Sequence, residues 1–113
     1  MRYSFAVQRT DFGSMACSIA RTLDVIGEPW SPLILRDVFV GMRRFDQLQA
    51  DLGVSRKVLT ERLNHLVDSG VLERRPYDRR PRYEYHLTDK GVDLVDVLMV
   101  MVRWGDSWLA GKA

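Results

Sequence analysis

The residues of this chain that could do chemistry are mostly cationic. From Arg74 to Arg82 the sequence reads Arg-Arg-Pro-Tyr-Asp-Arg-Arg-Pro-Arg, five arginines against one aspartate, in a chain whose formal net charge is only +2. Attraction to phosphate is screened beyond roughly 8–10 Å, so a local cluster matters more than the total. A second set, Arg56, Lys57, Thr60 and Asn64, recurs at helical spacing. These side chains suit base edges: arginine or lysine pairs guanine, asparagine pairs adenine bidentately, and threonine touches a thymine methyl or a phosphate. Glu61 and Asp68 share that face and repel phosphate, unless Glu61 accepts from a cytosine amine or both point aside. Arg43 and Arg44 add a basic pair upstream.

Other chemistries find less support. The single cysteine, Cys17, cannot form an internal disulfide, which fits a reducing cytoplasm. Placed at a helix start, with Arg21 one turn on, it has surroundings that permit a thiolate; the plainer reading is a small inert hydrophobe. His65 and His86 lack a carboxylate or cysteine at metal-ligand spacing, so no metal is expected. There is no phosphate-cradling glycine loop, no paired carboxylates in a cleft and no Ser/His/Asp arrangement, so neither catalysis nor a cofactor is expected. Trp30, Trp104 and Trp108 suit core or interface anchors, and aromatics at a subunit seam could also line a small-ligand pocket.

The elements that must position these groups follow from the pattern. At 113 residues, with 46% hydrophobic and 28% charged residues, the chain has the size and composition of one folded domain. Residues 1–13 have no periodicity and form an arm; residues 14–113 form the domain. Ser14 offers an N-cap for a helix carrying Ile19, Leu23 and Ile26 up to Gly27. A second helix is expected with Ser31 as N-cap and Pro32 at its first position, running to Gly41. Phe45, Leu48 and Leu52 mark a short helix that breaks at Gly53-Val54-Ser55 and restarts from Arg56 to Ser69, with Leu59, Leu63, Leu66 and Val67 as its apolar stripe. Helix, tight turn, helix places Ser55 as the cap of the second helix, with Arg56, Lys57 and Thr60 in its first turns and Asn64 one turn on.

Tyr83, Tyr85 and Leu87 alternate with polar residues as a half-buried strand does, so the segments around Val71–Arg75 and Tyr83–Leu87 form a hairpin. Its arginine-rich loop carries Arg79, Arg80 and Arg82 to backbone phosphates or a narrow minor groove. Thr88 caps a last helix reaching about Leu109. Its apolar residues span roughly twice the 100° arc that one core contact requires, so it needs a second partner.

Several segments resemble the HxlR-type winged helix regulators, relatives of the MarR group. They are Cys17–Gly27, Trp30, Leu33–Asp37, Arg43-Arg44-Phe45, Leu59–Leu63, Gly70–Arg74 and Tyr83–Gly91. The chain departs from that pattern at Pro29, where members usually have a lysine, and at Ser18, often a proline. The resemblance implies a dimeric bacterial DNA-binding regulator whose recognition helix is Ser55–Ser69 and whose first and last helices build the dimer interface. It also implies that in some members a cysteine equivalent to Cys17 senses electrophiles or oxidants.

The expectation is therefore an α+β, mostly α, winged helix-turn-helix, with N- and C-terminal helices forming a dimer interface through Ile19, Leu23, Leu94, Val97, Met101, Trp104 and Trp108. Its partners are double-stranded DNA, a second copy of itself and an oxidant or small-molecule effector. The expected DNA-binding residues are Arg43, Arg44, Ser55, Arg56, Lys57, Thr60, Asn64, Arg79, Arg80 and Arg82. Symmetry makes the operator an inverted repeat, and the resemblance favours repression. The alternative is a winged helix used for protein contact or as a ligand sensor without base readout. No membrane is involved: no secretory signal is visible, and the longest apolar run, Val97–Val102, is far short of the roughly 18 residues a span needs.

Overall fold

The computed structural model describes residues 12–14, 16–77 and 82–109. Five helices and one hairpin follow in order: α1 (Ser18–Ile26), α2 (Trp30–Phe39), α3 (Phe45–Leu52), α4 (Arg56–Asp68), β1 (Leu72–Pro76), β2 (Tyr83–Leu87) and α5 (Asp89–Trp108). Apart from the turn at Phe12–Ser14, the expected N-terminal arm lies outside the described residues, as do Arg79 and Arg80.

The core gathers around α2, whose Ile34, Leu35 and Val38 are almost fully buried against Leu48 of α3 and Leu59, Leu63 and Leu66 of α4. Val71, Leu72, Tyr85 and Leu98 close it from the hairpin and α5. The α4 stripe read from the sequence is the buried face, with Val67 packed at its edge. β1 and β2 pair antiparallel with Leu72 opposite Leu87, Arg74 opposite Tyr85 and Pro76 opposite Tyr83. Tyr85 is buried, but Tyr83 is exposed because it lies toward the loop end of the ribbon, past the core.

Two helix starts differ from expectation. Ser14 belongs to a separate 3-10 turn, and α1 begins only at Ser18, because Cys17 is extended (φ −145°, ψ 124°) and takes the N-cap position without a side-chain cap bond. Ala16 consequently lies exposed before the helix. Ser31 is not the cap of α2. The helix starts at Trp30, and the Glu28 carboxylate accepts from both the Ser31 backbone N–H (2.6 Å) and its hydroxyl (2.9 Å). A carboxylate three residues upstream satisfies the open N–H groups of the first turn and matches the positive helix end, so Ser31 is buried within that turn. The helix ends at Phe39 rather than Gly41.

The turn between α3 and α4 forms as the sequence indicates. Gly53 sits at φ 66°, ψ 25°, the left-handed conformation glycine adopts without penalty. The Ser55 hydroxyl accepts from Val58 N at 3.2 Å and caps α4. At the start of α5 the Thr88 hydroxyl accepts from Gly91 N (3.1 Å) and donates to Gly70 O (2.6 Å), fastening α5 to the end of α4.

Candidate nucleic-acid interface

The second helix of the helix-turn-helix pair presents the expected outer face. Lys57, Thr60, Glu61, Asn64 and Asp68 are all exposed, opposite the buried leucines. Two of the expected readers are engaged within the chain. The Arg56 guanidinium lies 4.6 Å from the centroid of the Phe45 ring, leaning back on α3. The Asn64 amide oxygen accepts a hydrogen bond from Arg74 of β1. Lys57 and Thr60 stand clear on the exposed surface.

The hairpin is tied to α3 as well. Arg44 forms an isolated antiparallel bridge with Glu84, and Tyr85 N donates to Arg43 O at 2.7 Å, adding a one-residue third strand to the ribbon. The Gln47 side-chain oxygen accepts from the backbone N–H groups of Arg43 and Arg44, each at 3.1 Å, and holds the entry to α3. The Arg44 guanidinium sits 4.1 Å from the Tyr77 ring centroid, and its Nε lies 3.5 Å from Glu84 Oε2. Arg43 is half-buried, with its Nε enclosed and without a hydrogen-bond partner among the described residues. Arg82 is exposed at the start of β2, where Tyr77 N donates to its carbonyl at 3.2 Å.

Glu84 is the electrostatic hinge of this corner. Hydrogen bonding with His86 (3.1 Å), aided by the Arg44 charge, holds its carboxyl below the ordinary value, so it stays ionised opposite the arginine. His65 is bound too, its Nε2 lying 2.9 Å from Asp24 O and linking α4 to α1. Arg74 and Tyr77 belong to the basic run noted in the sequence and Glu84 to the second strand, but none of the three was expected among the DNA-binding residues. A signal for Arg74 was present, since the strand period of two places it on the same face of β1 as Leu72. The partnerships of Tyr77 and Glu84 with Arg44 had no local signal.

The residues expected at a subunit seam lie on α1 and α5. Ile19 is 73% exposed, Met101 51%, Trp104 58% and Trp108 74%. Leu23 and Val97 are exposed as well, whereas Leu94 packs against the core. Between α1, the start of α2 and α5 runs an apolar groove of about 650 Å³, lined by Ile19, Leu23, Ile26, Leu33, Val97 and Met101 among others. Cys17 is exposed at the head of α1. No helix among the described residues is long and apolar enough to cross a membrane.

A helix-turn-helix braced by α2 and followed by a basic hairpin bonded to both of its helices defines a winged helix-turn-helix protein. The family model described as HxlR-like helix-turn-helix matches residues 25–113, and the chain belongs to that family. A Mycobacterium tuberculosis protein called an uncharacterized HTH-type transcriptional regulator is 46% identical over 93 residues, covering 81% of this chain and 59% of that protein. The chain thus spans well under two thirds of that relative's length. A Synechocystis protein of the same description is 41% identical over 95 residues, 82% of this chain and 70% of the relative. Among solved structures, PA1607, described as a candidate transcription factor, is similar with a TM-score of 0.83 at 41% identity, covering 88% of this chain and 70% of that one. The oxidised redox regulator HypR is similar with a TM-score of 0.73 at 31% identity, covering 80% and 96%.

Proposed function

We propose that this chain is a transcriptional regulator that binds an inverted-repeat operator as a homodimer and represses from it. The observation that carries the reading is the exposed face of α4, with Lys57 and Thr60 free, set beside a cationic hairpin that is hydrogen-bonded to the same helix. In this reading the first turns of α4 enter the major groove, where Lys57, Arg56 and Thr60 meet base edges. Arg43, Arg44, Arg79, Arg80 and Arg82 meet phosphates and supply salt-dependent affinity rather than sequence choice. Arg56 must swing from the Phe45 ring to do so, at a cost of the order of 0.5–1 kcal/mol for an exposed cation–π contact.

A second copy covers the apolar faces of α1 and α5. Side chains as large as Trp104 and Trp108 left more than half exposed, next to an apolar groove, form the kind of surface that marks a subunit interface. Two-fold symmetry then sets two α4 helices about 34 Å apart, one turn of B-DNA. An oxidant effector acts at the exposed Cys17 thiol, which heads the helix lining that seam, as the likeness to a protein described as a redox regulator supports.

The test is binding to the DNA upstream of the chain's own gene against a shuffled duplex of equal length, titrated in salt, with Lys57→Glu and Arg79→Glu/Arg80→Glu variants alongside. Sequence-preferring, salt-sensitive binding that both variants lose is expected. Equal affinity for both duplexes at every salt, unchanged in the variants, overturns the reading.

A further inference from the structure

We infer that Arg74 is a DNA-backbone contact and that Asn64, instead of reading a base, is the positioning residue that aims it. The inference rests on the DNA-binding reading above and names a contact within the same interface.

The register of the hairpin places Arg74. Leu72, two residues earlier on the same face of β1, is buried opposite Leu87, and Arg74 faces the buried Tyr85. Arg74 therefore leaves the inner face of the ribbon at the point where the core ends, and it is exposed. Its guanidinium lies 5.8 Å from the Tyr85 ring centroid and donates to the Asn64 side-chain oxygen across the gap to α4.

Arg74 differs from the arginines whose charge is neutralised within the chain. Arg36 pairs with Asp37, Arg44 with Glu84, Arg62 with Glu28 and Arg75 with Glu73. Arg74 meets no carboxylate among the described residues; its partners there are a neutral amide and an aromatic face. A guanidinium carries five N–H donors, so most of those on Arg74 remain available while its orientation is fixed from two sides. A fixed, uncompensated positive charge between the recognition helix and the hairpin suits an anion passing between them. In a winged helix on DNA, that anion is a phosphate of the strand bordering the major groove.

The same bond bears on Asn64. Bidentate recognition of adenine needs the amide oxygen to accept from N6 while the amide nitrogen donates to N7. Here that oxygen is turned toward β1 and engaged by Arg74. Asn64 also lies two turns into α4, beyond the N-terminal residues that reach base edges. Base choice then falls to Lys57, Thr60 and Arg56.

The test measures fluorescence anisotropy of an operator duplex, and of duplexes substituted at each base pair, across a KCl series. Wild type, Arg74→Ala, Arg74→Lys, Asn64→Ala, the Arg74→Ala/Asn64→Ala double variant and Lys57→Ala are compared, with circular dichroism as the check on folding. Arg74→Ala is expected to lower the slope of log K against log[salt] by about one and to weaken all duplexes alike, while Arg74→Lys keeps the slope. Asn64→Ala is expected to weaken binding less, to preserve base preference at every position and to add nothing in the double variant. A wild-type slope in Arg74→Ala, with Lys57→Ala defective, overturns the inference and leaves the DNA reading intact. Asn64→Ala relaxing preference at a single A·T pair also overturns it. A wild-type protein with no salt-dependent binding removes the DNA reading and the inference together.

Discussion

Gly91 on the first turn of α5 is where this last helix is pressed against the α4–β1 connection, and alanine there tests how tightly the two are joined. A Cβ built at this position falls 2.1 Å from Val71 O and 3.1 Å from Leu87 Cδ2. A carbon and a carbonyl oxygen approach no closer than about 3.3 Å, so the backbone of α5 must retreat from the α4–β1 connection by roughly 1 Å. That retreat strains the bond from Thr88 N to Val71 O (3.2 Å), a contact of the order of 1 kcal/mol. Overpacking of this kind costs about 1–3 kcal/mol, while replacing glycine within a helix returns at most about 1 kcal/mol and less in the first turn. The expected net loss is about 1–3 kcal/mol. For a chain of this length that is a fall in Tm of roughly 4–12 °C, measured by circular dichroism at matched protein concentration. An unchanged or higher Tm would refute the close approach and with it the rigid docking of α5.

Two further outcomes follow from other parts of the molecule. Met101→Asp should leave the single chain folded, since the side chain is half exposed there, yet place two unpaired carboxylates in the proposed seam between copies. An uncompensated buried charge costs about 3–5 kcal/mol, so under the proposed assembly sedimentation velocity should show a dimer for the parent chain and monomer for the variant at the same concentration; a dimer of unchanged affinity would exclude this face. Asp37 is buried, with one oxygen held by Arg36 at 2.9 Å and the other without a hydrogen-bond partner among the described residues. Desolvation first, and the neighbouring Asp51 second, raise its pKa. A carboxyl with a raised folded-state pKa binds its proton more tightly folded than unfolded, so it destabilises at neutral pH and that penalty is relieved as pH falls through the folded value toward the ordinary carboxylate range. Asp37→Asn should remove this component, so urea midpoints of variant and parent should converge on acidification; a constant difference from pH 7 to pH 4 would contradict it.

Much of the helix-turn-helix and hairpin is legible in the sequence alone, because its determinants are local. Gly53 must adopt a left-handed turn, Ser55 caps the helix that follows, and the leucines of α4 recur at the helical period, so helix, turn and helix are written within about 25 residues. The hairpin is equally local, its strands showing the alternation that puts Tyr85 inward. The excess apolar arc of α5 is visible on a helical wheel, and the residues forming it stand exposed on the folded chain.

What only the tertiary structure decides is which cation is held and by what. Nothing near Arg44 in the sequence indicates that Tyr77 stacks beneath it and Glu84 pairs with it, because those contacts span 33 and 40 residues and form only when the hairpin folds back onto α3. Likewise Asn64 and Arg74 lie on different elements, and their bond exists because the turn at Gly70 (φ 80°) directs β1 back alongside α4. The capping of α2 also escaped the residue pattern: Ser31 is the better intrinsic cap, but the Glu28 carboxylate supplies charge as well as hydrogen bonds to the helix end. Periodicity and capping chemistry are properties of neighbouring residues and can be read in order. The pairing of a charge depends on which surfaces meet, and that is known only once the chain has closed on itself.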